Sequence, residues 1–271
     1  MTFKIGGFVA SQSEKEQPKV FEPVQQVAAA RKSLVQVKFA NRGIALAYYN
    51  DQFDLKVGDR VYVDGKLEGQ LGRVVEINYN FKIKASDYQK VIAKVDTEVR
   101  GEFYMAGSHF VTFDPSALPV QQVMLWFKAP EKEDEEFISG NDDSSFSLEE
   151  LSQMGVSSAI AERGHQYYIE NRVRYLSVNN GKGIAIVEGS ECYAVEFEYN
   201  EGEISHLVCE CPCAYPCKHE FTVMLQLRET LNIIQREYQE EYLDSGCFAA
   251  IQKGILFSFA VDGKEKGKLV L

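Results

Sequence analysis

Residues 209–219 read CECPCAYPCKH, which gathers four of the chain's six cysteines and one of its four histidines into eleven residues. The flanking sequence says what holds them. EISHLVCE, upstream, has the alternation of a strand. HEFTVMLQLRETLNIIQREYQEEYL, downstream, has a helical apolar period at Phe221, Leu225, Leu231, Ile234 and Tyr238. Cys209 and Cys211 therefore end an extended segment, where residues i and i+2 point to one side. Pro212 stops the strand. Cys217 and His219 fall where a helix begins, so its first turn aims both inward. Three thiolates and an imidazole form an S₃N set, the closed four-coordinate arrangement of structural zinc. A helix N-terminus also favours thiolate over thiol. A slipped set, Cys211, Cys213, Cys217 and His219, offers the same chemistry. The Cys209 set is preferred because CxC followed by proline leaves enough chain to turn back, with Cys213 as a spare thiol beside the site. A dithiol switch would have no use for the histidine.

The wording CECP…PCKH before an apolar helix resembles a SWIM zinc finger. ERGHQYY at 162–168 and RVRYLSV at 172–178 match the helix with arginine-glycine and paired aromatics, then the strand, that precede the ligands in that family. The likeness covers about 147–236. It departs in a spacer of only five residues between Cys211 and Cys217 and in the extra Cys213. The resemblance implies a ββα-like finger, one Zn²⁺, no catalysis, and DNA binding or protein–protein interaction alongside machinery such as a Swi/Snf-type helicase. A second stretch, VQVKFA…LAYYN…LKVGDRVYVDG…LGRVVEI within 34–84, is similar to the N-terminal β-barrel of the primosomal replication-restart helicase.

The remaining sequence divides by pattern, and the expected fold class is α+β. A mixed, flexible segment spans 1–30. From 31 to 128 short alternating runs with glycine turns read as a β-rich, barrel-like domain, with HFVTF and VQQVMLWF as its last strands. Residues 129–146, APEKEDEEFISGNDDSSF, read as an acidic linker. A SWIM domain follows over 147–236, opening on a capping box from Ser147 to Glu150 and a helix, then a second helix at about 157–170. Its strands turn at Asn179–Gly183 and Asn200–Gly202. Residues 237–271 read as a helix ending near Gly254 and a β-hairpin.

The chain has 271 residues, 45% hydrophobic and 25% charged, and no apolar run approaching the ~20 residues that cross a bilayer. With clustered rather than dispersed cysteines, a cytoplasmic location is expected. Its net charge of −11 argues against a general nucleic-acid coat, though not against a local basic face. Candidate nucleic-acid residues are Arg163, Arg172, Arg174, Lys182 and Lys218 around the finger. Upstream, residues 31–100 hold 13 Lys and Arg against 9 Asp and Glu, with Tyr48, Tyr49, Tyr79 and Phe81 as candidate stacking rings. His109, His165, Trp126, Cys192 and Cys247 read as packing residues, and His206 as a spare ligand at most. No phosphate-cradling loop, dinucleotide fingerprint or nucleophile elbow is present. An enzyme with its site in the β domain is the rival reading.

Overall fold

Alternating apolar residues in SLVQVKF and its neighbours form a small barrel. The structure, a computed structural model, describes residues 31–130, 144–213 and 216–261. The segment 1–30, most of the acidic stretch 129–146 and the last part of the expected C-terminal hairpin lie outside the described residues. Strands β1 (Ser33–Phe39), β2 (Ala45–Asn50), β3 (Arg60–Val63), β4 (Gly72–Asn78) and β5 (Val91–Val95) pair in the order β2-β1-β4-β3-β5. Tyr49 N donates to Gln89 O at 2.9 Å beside a parallel bridge from Tyr49 to Lys90, which draws the two edges together. Val35, Val37, Phe39, Val61, Val63, Val74 and Val91 fill the interior.

The other strands expected within 31–128 do not belong to this barrel. β6 (Tyr104–Ala106) and β7 (His109–Thr112) join a second, eight-stranded sheet. VQQVMLWF is a helix, α1 (Val120–Phe127), not a strand. It follows Pro119 and buries Val123 and Trp126, three apart, on one face. Trp126 Nε1 donates to Asp96 O at 2.7 Å, tying α1 to the end of β5. The acidic stretch ends in β8 (Ser145–Ser147), which pairs with 203–205. Ser147 thus closes a strand and caps no helix. A single 3₁₀ turn, Leu151–Met154, follows and ends at Gly155 with φ 65°.

Helix α2 (Ser158–Ile169) is capped by Ser157 and leads into β9 (Val173–Asn179), β10 (Lys182–Glu188), β11 (Cys192–Asn200) and β12 (Glu203–Cys209). Asn180 and Gly181 have φ of 50° and 79°, and Glu201 and Gly202 have 47° and 94°. Two successive positive φ values make the two-residue hairpin turns whose twist matches the strands. Helices α3 (Lys218–Glu237) and α4 (Gln239–Ser245) follow. CFAAIQ, expected to be helical, is instead β13 (Cys247–Gln252), and the short α5 (Lys253–Leu256) and a π turn at Phe257–Val261 stand where a hairpin was expected to begin. β13 lies between β7 and β9, so the sheet runs β6-β7-β13-β9-β10-β11-β12-β8. The result is α+β with two antiparallel sheets.

Each face of the large sheet has its own core. Val178, Val187, Val195, Ile204, Phe248 and Ala250 meet Val223, Met224 and Leu227 of α3. Tyr175, Ile186, Ala249 and Ile251 face the other way, against Trp126, Leu256 and Phe259, and there meet Tyr62, Ala93 and Val95 from the barrel. One core therefore joins the two sheets. Arg60 of β3 donates to Ser258 O at 2.6 Å and lies over the Phe259 ring, which stacks on Trp126 with centroids 4.9 Å apart. No helix among the described residues is long and apolar enough to cross a membrane.

His109 fastens the sheet where β13 ends. It is fully buried, with Nε2 2.8 Å from Val173 O and Nδ1 3.0 Å from Ser108 Oγ. Burial pushes its pKa down to about 4, and the positive charges of Arg174 and Lys253 act in the same direction. The unfolded chain takes up this proton first, near the ordinary imidazole value of about 6.5. Stability from His109 is therefore complete above that pH and is lost as pH falls through about 4. Urea unfolding of the parent and of His109→Gln should diverge across this window, the parent losing about 3 kcal/mol more between neutral pH and pH 4.

Candidate metal centre

The four preferred ligands converge at one end of β12. Cys209 is its last residue, paired with Val195, and Cys211 lies two residues beyond. Cys217 precedes α3 and His219 lies in its first turn. The three Sγ atoms and a ring nitrogen all lie within 4.8 Å of one another. His219 Nδ1 is 3.7 Å from Cys209 Sγ and 3.8 Å from Cys217 Sγ. A tetrahedral zinc with ordinary bond lengths needs ligand atoms about 3.5–3.8 Å apart. The donor set and its spacing thus fit a closed structural site. Cys211, Cys217 and His219 are 9%, 3% and 2% exposed, whereas Cys213 is exposed and stands outside the group.

The neighbours of the cluster hold it in shape. Glu220 reaches back to accept from Cys217 N at 2.7 Å, a capping box with cysteine in the cap position. Glu210, between the first two ligands, exchanges backbone and side-chain bonds with Ala194: its N–H donates to Ala194 O at 3.1 Å, and Ala194 N donates to its Oε2 at 3.0 Å. Lys128, just beyond α1, pairs with the same carboxylate. The His219 ring stacks on Tyr193 with centroids 4.8 Å apart, and Tyr167 flanks it at 5.7 Å. Its Nε2 is buried with no hydrogen-bond partner among the described residues. A Cβ on Gly189 would lie 3.1 Å from that nitrogen and 2.9 Å from Tyr193, so glycine is needed there.

Helix α2 supports the cluster from outside. A Cβ on Gly164 would come within 2.8 Å of the Phe221 ring and 3.0 Å of Lys218 O. Thr222 Oγ1 donates to Gly164 O at 3.0 Å. The glycine of ERGHQYY therefore lets α2 approach the first turn of α3 at backbone contact.

The thiols share protons. A hydrogen bond from Cys209 holds Cys217 well below the ordinary thiol range, and His219 and the Glu220 N–H act in the same direction. Cys209 is pushed far up by donating that bond and by burial. Burial pushes Cys211 up to about 11. Without metal the cluster holds one thiolate easily and the others only at a cost. A divalent cation would displace those protons, so binding should weaken as pH falls.

The candidate nucleic-acid residues do not form one free basic face. Arg172 pairs with Glu170 at 2.7 Å, and Arg174 with Glu188 at 2.6 Å. Lys218 donates to Tyr167 OH at 2.7 Å, and Arg172 lies 5.1 Å from the same ring. Arg163 is exposed and bonds Ala159 O on its own helix. Lys182 opens β10, at the far end of that strand from Glu188. Of the candidate stacking rings, Tyr48 and Tyr49 are buried and Tyr79 is 40% exposed. His206, the spare ligand, faces Glu198 instead, at 3.8 Å. Sequence reasoning passed over Glu220, Tyr193 and Gly189. Only Glu220 had a visible signal, the C-x-x-E spacing of a capping box.

No protein-family model, curated protein or solved structure matches this chain.

Replacing Cys213 by serine should leave metal content unchanged, while Cys209→Ser should remove most of it. Metal analysis of the two purified proteins checks this. The reverse result would establish the slipped set.

Proposed function

We propose that this chain is a zinc-binding module of SWIM type that works in the cytoplasm as a non-catalytic interaction adaptor, in keeping with the DNA-processing assemblies to which the resemblance points. The observation that carries the reading is the closed S₃N cluster, with its donor atoms within 4.8 Å of one another. Four protein donors fill a tetrahedral ion and leave no position for water or substrate, as a catalytic zinc would need. Soft thiolates with one imidazole select zinc over harder cations.

The choice of adaptor over direct DNA reader rests on charge. Arg172 and Arg174, central to any basic face of the finger, are already matched by Glu170 and Glu188. A phosphate contact would have to compete with those carboxylates, in a chain of net charge −11. Direct DNA binding is the rival, carried by exposed Arg163 and Lys182.

Protein purified without added metal should carry close to one zinc per chain. Duplex DNA should bind weakly, with a shallow dependence on salt that Arg172→Ala with Arg174→Ala does not alter. A steep salt dependence that this double variant flattens would favour the DNA reader.

A further inference from the structure

We infer that the groove between α2 and α3 is a second binding site, for a phosphorylated side chain on a peptide of a partner protein. The group that calls for such a ligand is Arg228. It is half-buried on α3, yet among the described residues its guanidinium has no carboxylate and no hydrogen-bond acceptor. The helix sequence explains why. Side chains three and four apart are neighbours on a helix, and for Arg228 these are Met224, Leu225, Leu231 and Asn232, none of them acidic. Glu229, next in the chain, is engaged elsewhere: it accepts from Gln226 Nε2 at 3.0 Å and from the Tyr168 hydroxyl. A charge drawn partly out of water without a partner is costly. In a chain with 40 acidic residues against 29 basic ones, an unmatched guanidinium is not for want of carboxylates.

Arg228 lines an open groove of about 510 Å³. His165 and Tyr168 come to it from α2, and Leu225, Asn232 and Ile233 from α3. The turn between β6 and β7 borders it, since a Cβ on Gly107 would lie 3.4 Å from Glu229 Oε1 and 3.7 Å from Ile233 Cδ1. His165 and Asn232 are exposed and also have no hydrogen-bond partner among the described residues. Three unused donor groups, a guanidinium, an imidazole and an amide, thus line one groove. A carboxylate, with two oxygens, would be filled by the guanidinium fork alone. A phosphorylated side chain presents three acceptor oxygens and a charge of about −1.5 to −2 at neutral pH. The half-buried Leu225 and Ile233 add apolar surface for the residues beside the phosphate. Arginine with further donors is a common way to hold a phosphorylated peptide.

Nucleic acid also carries phosphate, and Tyr168 and His165 offer rings in the groove. A strand, however, brings a charge with every nucleotide. Only one unmatched guanidinium awaits it here: Arg236, two turns beyond Arg228, is already held by Glu237 at 2.6 Å. The Glu229 carboxylate also lies in the lining. A single phosphate on an otherwise neutral segment fits this distribution of charge better. The inference deepens the adaptor reading and rests on it for a protein partner. None of the groove residues belongs to the metal cluster, so the two can fail separately.

The test is a fluorescence anisotropy titration of the full chain, as purified, with three labelled probes: a degenerate peptide library with a fixed central phosphoserine, the same library with serine, and a thymidine 15-mer. The phosphoserine library should bind saturably and at least tenfold more tightly than the serine library. Arg228→Gln should abolish that preference and His165→Ala should reduce it about threefold. Zinc content and melting temperature should stay unchanged in both variants, since neither side chain has a hydrogen bond or ion pair to lose. No preference for phosphoserine, or a preference that survives Arg228→Gln, overturns the site. Preferential binding of the 15-mer, lost in Arg228→Gln, would place nucleic acid in the groove and overturn the peptide assignment. A phosphoserine preference that depends on Arg228 in a chain found to lack zinc would keep this inference and refute only the zinc reading.

Discussion

The first turn of α3 is buried although it is polar, and that constraint governs the finger half of the molecule. Cys217, His219, Glu220 and Thr222 are each at most 3% exposed, because the helix must lie on the sheet to bury Val223, Met224 and Leu227. Thr222 and Glu220 find backbone partners on Gly164 and Cys217. The thiols and the imidazole have chiefly one another, and a buried polar group without a partner costs on the order of 1–3 kcal/mol. A cation shared by four donors turns this liability into a tie between β12 and α3.

Much of this was legible in sequence where the determinants are local. Strands β9 to β12 follow from alternation and from turns whose glycines, Gly181 and Gly202, need positive φ. The ligand set followed from CxC at the end of a strand and CxH at the start of a helix. Where long-range pairing decides, sequence misled. CFAAIQ reads equally as helix or strand, and only the slot between β7 and β9 makes it a strand. β6 and β7 look like more barrel strands because nothing local says that the other partner of β7 lies more than 130 residues away, as in Ile251 opposite Phe110, with β6 carried along as its hairpin neighbour. VQQVMLWF has aromatic and β-branched residues suited to a strand, yet the i, i+3 burial of Val123 and Trp126 wins. The buried stripe of α3 is wider than its expected period: Ile234 lies in the core and Phe221, Leu225, Leu231 and Tyr238 pack half-buried against it, while Val223, Met224 and Leu227, outside that period, are fully buried in the same core.

The candidate DNA-contacting residues show a different kind of illegibility. Sequence displays Arg172 and Arg174 but not that β9 and β10 pair in a register which sets Glu188 beside Arg174. Charge that is neutralised within the fold projects little field.

The central claim is that a bound metal holds the start of α3 to the end of β12. Hydrogen exchange measured with and without a chelator tests it most directly. The account predicts that chelation speeds exchange across 204–213 and 216–225, where the ligands and their supports lie, and leaves the barrel strands β1 to β5 protected. No change near the cluster, or loosening spread evenly over the barrel and the large sheet, would contradict it.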